Sequence, residues 1–173
     1  TTRTGASLMT GNIFAKGMAG SAQNAAFGRD REYRIQKTPD PKLVYIAGGG
    51  SGGMEYAITA RAAGHDVIIF EASAELGGVM NWAGNYKTLR NMEQIAYQTQ
   101  WHRLMVTKAG IAVRLNTELT VEAILADKPD VVVVATGAKP AIPSVPGLDA
   151  ALASGFARTI DRVLGQPSDP LPD

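Results

Sequence analysis

The stretch LVYIAGGGSGG, from Leu43 to Gly53, decides the fold of this chain. Its first five residues form a short continuous apolar run, which is typical of a fully buried strand. The glycines that follow match the spacing G-x-G-x-x-G at Gly48, Gly50 and Gly53. Because this spacing comes directly after a predicted strand, it indicates a turn in which the backbone approaches a ligand.

The residues after the turn predict a helix and a second strand. Small residues recur on one face of the helix at Ala57, Ala60 and Ala63, and Gly64 supplies its end. The apolar run Val67–Phe70 then predicts another buried strand. Strand, glycine turn, helix and strand in this order predict a parallel, right-handed βαβ unit.

The rest of the chain alternates between helical and strand patterns. We expect a helix from Asn91 to Ala109, a strand from Ile111 to Leu115 and a short helix from Val121 to Ala126. The run Val131–Ala135 contains four consecutive valines and is expected to be the most buried strand. Several strands separated by helices favour an α/β fold with a doubly wound, Rossmann-like parallel sheet.

The glycines of the turn suit a bound dinucleotide. Gly48 permits the tight turn, Gly50 lets the backbone approach a pyrophosphate, and Gly53 lets helix and strand pack closely. The helix N-terminus adds N–H groups that attract negative charge. Glu71, after the second strand, would accept hydrogen bonds from the ribose hydroxyls and repel a 2′-phosphate. This favours the ADP-ribose group of NAD or FAD over that of NADP.

Two further glycine segments extend the candidate site. Glu75–Gly78 follows the acidic residue closely, and Ala135–Ala138 follows the fourth predicted strand. Glycine at these points leaves room for a cofactor and exposes backbone N–H groups. Each segment alone is better explained as a plain turn or a strand exit. Together with the first turn, and in this order, they favour an FAD-type site.

Composition excludes several classes of function. The 173 residues carry 17 Lys and Arg against 16 Asp and Glu, which removes the usual electrostatic case for binding nucleic acid or an anionic membrane. Cysteine is absent, so these residues supply no disulfide, thiolate nucleophile or iron–sulfur ligand. Two histidines are too few for a His-rich metal site, and no acid–base pair indicates catalysis. No apolar stretch approaches the roughly 18 residues of a membrane span, so a cytoplasmic setting is expected.

Residues Leu43–Ala150 resemble a known module. With GGGSGG, Glu71, ELGG, Asn81 and ATGAKPAIPSVPG, they are similar to the FAD- or ADP-binding module of the old yellow enzyme-type 2,4-dienoyl-CoA reductase and trimethylamine dehydrogenase family. The segment QNAAFGRD, from Gln23 to Asp30, resembles that family's join between its iron–sulfur loop and this module. The motifs and the resemblance together define the candidate cofactor-binding residues, which are Gly48, Gly50, Ser51, Gly52, Gly53, Glu71, Ala72, Leu76, Gly77, Gly78, Val79, Asn81, Ala135, Thr136 and Gly137.

The resemblance implies a partner as well as a cofactor. In that family a TIM barrel carrying FMN comes first, then a loop with four cluster-binding cysteines, then this module, which a second NAD(P)H-type domain interrupts. Projected onto this sequence, the cysteines fall at Thr2, Gly5, Met9 and Ser21, so we expect no 4Fe–4S cluster in this chain. The sequence contains no barrel, and a barrel subunit carrying FMN is therefore the expected partner.

We therefore expect three parts and a supporting function. Residues 1–41 would form an irregular docking arm, 42–150 the FAD/ADP-binding domain, and 151–173 an extended tail where a second dinucleotide domain would begin. The expected function is that of an FAD- or ADP-binding subunit or fragment of a flavin-dependent oxidoreductase, which supports electron transfer or assembly and is not catalytic alone. The alternatives are a structural or regulatory ADP-binding module without redox activity, and a free-standing enzyme of another kind.

Overall fold

The structure is a computed structural model that describes residue 26 and residues 30–83 and 93–165, with only the backbone described at Glu93. Two compact units divide the chain, Thr1–Gln36 and Lys37–Asp173. In the first unit, the described residues 30–36 form a turn followed by irregular backbone. Several of the sequence predictions concern residues that lie outside the described part of the chain. They are the predictions for the cluster positions Thr2, Gly5, Met9 and Ser21, for most of the docking arm, for the first residues of the helix from Asn91, and for residues 166–173.

The boundary between the two units lies before the predicted end of the arm. The N–H of Thr38 donates to the carbonyl oxygen of Ala63 at 2.8 Å. The N–H of Lys42 donates to Nδ1 of His65 at 3.2 Å. These bonds tie the chain from residue 37 onward to the βαβ unit, so the first unit ends at Gln36 rather than at residue 41.

In the second unit, four parallel strands of the described residues form one sheet. They are β1 (Leu43–Ala47), β2 (Asp66–Phe70), β3 (Ala112–Arg114) and β4 (Val131–Val134), and their spatial order is β3-β2-β1-β4. All three pairings are parallel, and Ile46 of β1 lies opposite both Ile69 of β2 and Val133 of β4. The predicted α/β fold with a Rossmann-like parallel sheet is confirmed.

Six helices occur in the described part of the chain. They are α1 (Ser51–Ala63), α2 (Val79–Ala83), α3 (Glu93–Lys108), α4 (Val121–Asp127), α5 (Leu148–Ser154) and α6 (Ile160–Gly165). Helix α1 ends as predicted at Gly64, whose φ of +103° is left-handed and whose N–H donates to the carbonyl oxygens of Ala60 and Arg61. Gly110, with φ of +63°, follows α3 in the same way.

The hydrophobic core lies between the central strands and helices α1 and α3. Ile46, Met54 and Ile69 are fully buried, and Val106 of α3 is 2% exposed. Burial of each such side chain stabilises the fold by about 1.5–3 kcal/mol. The core therefore fixes α1 directly behind the glycine turn and places α3 beside it.

The prediction that the valine run is the most buried strand is wrong. Val134 is 77% exposed and Val132 is 36% exposed. One reason is that β4 pairs with β1 only and lies at an edge of the sheet formed by the described residues. The other is that Val132 and Val134 share one face of the strand, which the described helices leave uncovered. The most buried strands are the two central ones, β1 and β2.

The predicted extended tail from residue 151 contains helical structure. Helix α5 begins after Gly147, which has φ of +81°, and ends at Gly155, which has φ of +78°. Between these glycines the sequence LDAALAS is rich in the strong helix formers Ala and Leu. Helix α6 follows, and the N–H of Val163 donates to the carbonyl oxygen of Thr159 at 3.1 Å.

Candidate nucleotide-binding site

The first glycine turn joins β1 to α1 in very little space. Gly48 has φ of +105°, and a Cβ atom there would overlap the carbonyl oxygen of Ala135. A Cβ atom on Gly53 would overlap the carbonyl oxygen of Gly48. A side chain at Gly53 would therefore push α1 away from β1, at the close contact that the spacing predicts there. A side chain at Gly48 would collide with the backbone that follows β4, and its positive φ is that of a tight turn.

The other side of the turn is open. A Cβ atom at Gly50 or at Gly52 would meet no described atom within 4 Å. The Oγ of Ser51 is buried and has no hydrogen-bond partner among the described residues. No acidic residue stands in the first turn of α1, and its N-cap, Gly50, has no side chain to cap it. An open cradle at a helix N-terminus with a spare hydroxyl suits a diphosphate.

The second glycine segment lies against the first. Gly50 and Gly77 form a parallel bridge, and the N–H of Gly77 donates to the carbonyl oxygen of Gly49 at 2.8 Å. Gly77 and Gly78 have φ of +126° and +54°, values that side chains rarely tolerate. A Cβ atom on Gly78 would lie 3.3 Å from the Cα of Gly50. The predicted second half of the site is therefore next to the first half.

The third segment completes the rim of the site. The N–H of Ala135 donates to the carbonyl oxygen of Ala47 at 2.8 Å, which continues the pairing of β4 with β1. The backbone of Ala135 and Thr136 closes over Gly48, while Gly137 turns away with φ of +80°. All three segments thus gather at the carboxyl ends of parallel strands, where ligands of open α/β sheets bind.

Glu71 lies directly after β2 with its carboxylate turned toward the glycine turn. One oxygen, Oε2, accepts from the N–H of Gly49 at 2.7 Å. The other, Oε1, accepts from the N–H and the hydroxyl of Ser73, each at 2.8 Å. Three of about four acceptor sites on the carboxylate are used in this way, so it retains capacity for a ribose hydroxyl.

Hydrogen bonding keeps the buried Glu71 ionised. Burial alone would raise its pKa, but the N–H groups of Ser73 and Gly49 and the Ser73 hydroxyl outweigh burial and lower the pKa below its ordinary value. The charged carboxylate therefore stabilises the fold above its ordinary pKa of 4.5. This contribution is lost as the pH falls through the lowered pKa.

Comparison with known proteins shows the family of the chain. A family model described as pyridine nucleotide-disulphide oxidoreductase matches residues 42–166. The chain belongs to this family. Its glycine turn, its charged Glu71 and its parallel sheet are therefore those of an FAD/NAD(P)-binding domain of the Rossmann type.

Similar proteins are named as oxidoreductases. The chain is 39% identical over 129 residues to N,N-dimethylglycine/sarcosine dehydrogenase of Chromohalobacter salexigens, which covers 72% of this chain and 18% of that protein. It is 33% identical over 140 residues to NADH oxidase of Thermoanaerobacter brockii, covering 80% and 21%. A solved structure of 2-naphthoyl-CoA reductase with 2-naphthoyl-CoA superposes with a TM-score of 0.73 at 31% identity, covering 87% and 24%. The chain thus spans about a fifth of the length of the relatives that it matches.

The family description names a disulphide, yet this sequence contains no cysteine. These 173 residues therefore supply no redox-active pair of cysteines. In the described part of the chain, no group of three or more His, Cys, Asp or Glu side chains could hold a metal ion. No helix there is long and apolar enough to cross a membrane.

Both histidines have packing partners. The ring of His102 is 4% exposed, and its Nε2 lies 3.1 Å from Oε2 of Glu55. His65 accepts a hydrogen bond from the backbone of Lys42. That neither histidine takes part in catalysis stays a prediction.

The remaining predicted site residues differ in their placement. Ala72 and Val79 are exposed next to the second glycine segment. The amide of Asn81 is engaged within the protein, since its Nδ2 donates to Oε1 of Glu75 and to the carbonyl oxygen of Leu76, each at 3.1 Å. Direct contact of these residues with a cofactor stays a prediction.

Sequence reasoning missed three residues that shape the site. Gly49 donates to Glu71, and a Cβ atom there would overlap the side chain of Leu76. Ser73 satisfies the other carboxylate oxygen. Arg103, on α3, binds the carbonyl oxygen of Leu76. Gly49 and Ser73 lie within or beside recognised motifs and could have been found there, whereas no local pattern identifies Arg103.

Proposed function

We propose that this chain is the nucleotide-binding part of a flavin-dependent oxidoreductase and that it holds the ADP half of FAD. The observation that carries the proposal is the open cradle at Gly50 and Gly52, bordered by Glu71 and by the second glycine segment. The first turn of α1 and the Ser51 hydroxyl would bind the diphosphate, and Glu71 would accept from the ribose. Bound FAD would supply electron-transfer chemistry, while these residues bind and orient it.

A more specific proposal, which concerns the partner and the setting of the chain, follows from the resemblance of the motifs to the 2,4-dienoyl-CoA reductase and trimethylamine dehydrogenase group. In this assignment a TIM-barrel subunit carrying FMN is the partner, the complex works in the cytoplasm, and the chain itself holds no iron–sulfur cluster. The absence of cysteine supports the last point directly. The names of the similar proteins, a dehydrogenase, an oxidase and a reductase, support a redox role for the complex.

A structural or regulatory ADP-binding module is the second candidate. The observation that favours it is that the described site residues surround positions for a diphosphate and a ribose. In this case ADP binds and no flavin is retained. The two candidates therefore differ in the colour of the purified protein.

Calorimetric titration of the full chain with ADP, FAD and NADP tests the proposal. ADP and FAD are expected to bind, and NADP more weakly, because the charged Glu71 repels a 2′-phosphate. Flavin absorbance after gel filtration supports the FAD assignment, whereas ADP binding without retained flavin supports the second candidate. Failure of all three nucleotides to bind would refute both.

Replacement of Glu71 by alanine is expected to weaken ADP binding by about 1–3 kcal/mol, because charge-assisted hydrogen bonds to the ribose are lost. Calorimetry on the purified variant measures the change. Asp40→Ala is the matched control, since Asp40 is an exposed carboxylate that precedes β1 and so lies at the amino edge of the sheet, opposite to the glycine turn. Unchanged affinity in Glu71→Ala would show that the carboxylate does not contact the nucleotide.

Removal of residues 1–36 is expected to leave the second unit folded and to abolish assembly with a barrel subunit. The cut lies at the boundary between the units and preserves the bonds of Thr38 and Lys42 to the βαβ unit. Sedimentation and FMN content of material isolated from the native source measure assembly, and thermal unfolding measures the fold. An intact chain that sediments alone, without FMN, would contradict the proposed partner.

A further inference from the structure

The carbonyl oxygen of Leu76 accepts hydrogen bonds from two side chains. Nε of Arg103 donates to it at 2.9 Å, and Nη2 of Arg103 donates to it as well. Nδ2 of Asn81 donates to the same oxygen at 3.1 Å. Side chains from two helices, α3 and α2, therefore hold the backbone of Leu76.

The partners of Arg103 close a small network around this carbonyl. Its Nη2 also lies 2.8 Å from Oε2 of Glu75 and donates to Oδ1 of Asn81 at 3.0 Å. The side chains of Glu75, Asn81 and Arg103 are therefore each hydrogen-bonded to the other two, so each one restrains the others. Arg103 is suited to this task because its planar guanidinium presents several N–H groups in a fixed geometry, which a lysine does not.

The segment that follows Leu76 has no side chains with which to hold itself in place. Gly77 and Gly78 both have positive φ, and their contacts with the first turn are backbone contacts to Gly49 and Gly50. Their position depends on what holds Leu76. Its side chain is buried against Gly49, and its carbonyl is held by Arg103 and Asn81.

We propose that Arg103 is a positioning residue of the nucleotide site, which holds the Leu76 carbonyl from α3 and so keeps the Gly77–Gly78 turn against Gly50. Helix α3 is a firm base for this contact, because Val106, one turn further on, is buried in the core. The inference rests on the proposed nucleotide-binding function. Arg103 does not itself contact the ligand in this scheme.

Arg61 provides a matched control. It also binds backbone carbonyls and a carboxylate, through Ala109, His65 and Asp66. Its side chain is 39% exposed, against 37% for Arg103. It lies near the C-terminal end of α1, at the opposite end of that helix from the glycine turn. Loss of Arg61 should therefore cost similar packing and polar contacts without touching the Gly77–Gly78 turn.

The first measurement compares ADP affinity and melting temperature for Arg103→Ala, Arg103→Lys and Arg61→Ala in the full chain. Arg103→Ala should raise the Kd for ADP by about 10- to 100-fold, the range found when residues that orient metal ligands are removed. Arg103→Lys should recover only part of this loss. Arg61→Ala should lower the melting temperature comparably and change the Kd by less than about twofold. Equal Kd values for the two alanine variants, or full recovery by lysine, would overturn the inference.

The second measurement is independent of any nucleotide. Amide hydrogen exchange at Gly77 reports the bond from its N–H to the carbonyl oxygen of Gly49. Exchange there should accelerate in Arg103→Ala and stay unchanged in Arg61→Ala. If wild-type protein binds no ADP, the proposed function fails, and this exchange alone decides the positioning role. Unchanged protection of Gly77 in Arg103→Ala would overturn the inference.

Discussion

Replacement of Gly53 by valine is expected to lower the free energy of unfolding by about 3 kcal/mol or more, since the added Cβ would overlap a backbone carbonyl oxygen. That oxygen belongs to Gly48, which cannot yield easily because its other side is closed by the backbone of Ala135. The overlap also involves main chain rather than the flexible end of a side chain. Helix α1 would have to move away from β1, and with it the buried Met54 and Ala57.

Thermal unfolding of the nucleotide-free chain measures this effect, with Gly52→Val as the matched control. Gly52 is the preceding residue of the same helix turn, and a Cβ atom there would meet no described atom within 4 Å. The two substitutions change helix propensity equally, so their difference reports the overlap alone. We expect Gly53→Val to melt roughly 10 °C or more below wild type and Gly52→Val to melt close to it. Equal melting temperatures would show that helix and strand are not in close contact at Gly53.

The βαβ unit could be predicted because its signals are local. The apolar run of β1, the glycine spacing and the stop at Gly64 all lie within consecutive residues, and each corresponds to one backbone feature. The second strand begins at Asp66, one residue earlier than the predicted Val67. Glu71 could be placed for the same reason, since the residue after a parallel strand lies at the carboxyl edge of its sheet.

The position of β4 could not be predicted because burial of a strand depends on its neighbours. Val131–Val134 has the same composition whether the strand is central or at an edge. Its edge position follows from the strand order, which no local pattern contains. Helices α5 and α6 were missed for a related reason. They are short, and they begin after Gly147 and Thr159 in a segment without clear periodicity.

The hydrogen bonds that hold the second glycine segment could not be predicted from the sequence either. Arg103 meets Leu76 across 27 residues of chain and Asn81 across 22. These contacts form only once α3 packs against α1 and α2, so nothing in the sequence near Arg103 indicates its partners. Asn81 shows the same limit, since it was recognised from its motif while its amide is engaged with Glu75 and Leu76.

Replacement of Gly50 by valine is expected to abolish ADP binding while leaving the fold intact. Gly50 has φ of −70° and ψ of −178°, an extended conformation that valine adopts readily. A Cβ atom there would meet no described atom within 4 Å, so the free protein should tolerate it. The side chain would instead fill the open cradle in which the proposed diphosphate approaches the backbone. We expect the Kd for ADP to rise at least about a hundredfold, which corresponds to about 2.7 kcal/mol.

Two controls test whether the effect of Gly50→Val concerns the diphosphate. They are the smaller substitution Gly50→Ala and the ligand adenosine. Alanine occupies less of the cradle than valine does, so the loss of ADP affinity should be smaller in Gly50→Ala. Adenosine lacks the diphosphate, and its weak binding, followed by NMR titration, should change little in either variant. Because Gly53→Val acts on stability and Gly50→Val on affinity, the pair separates two roles within one glycine motif. A Gly50→Val protein that melts like wild type and still binds ADP normally would show that the nucleotide does not approach the backbone at this turn.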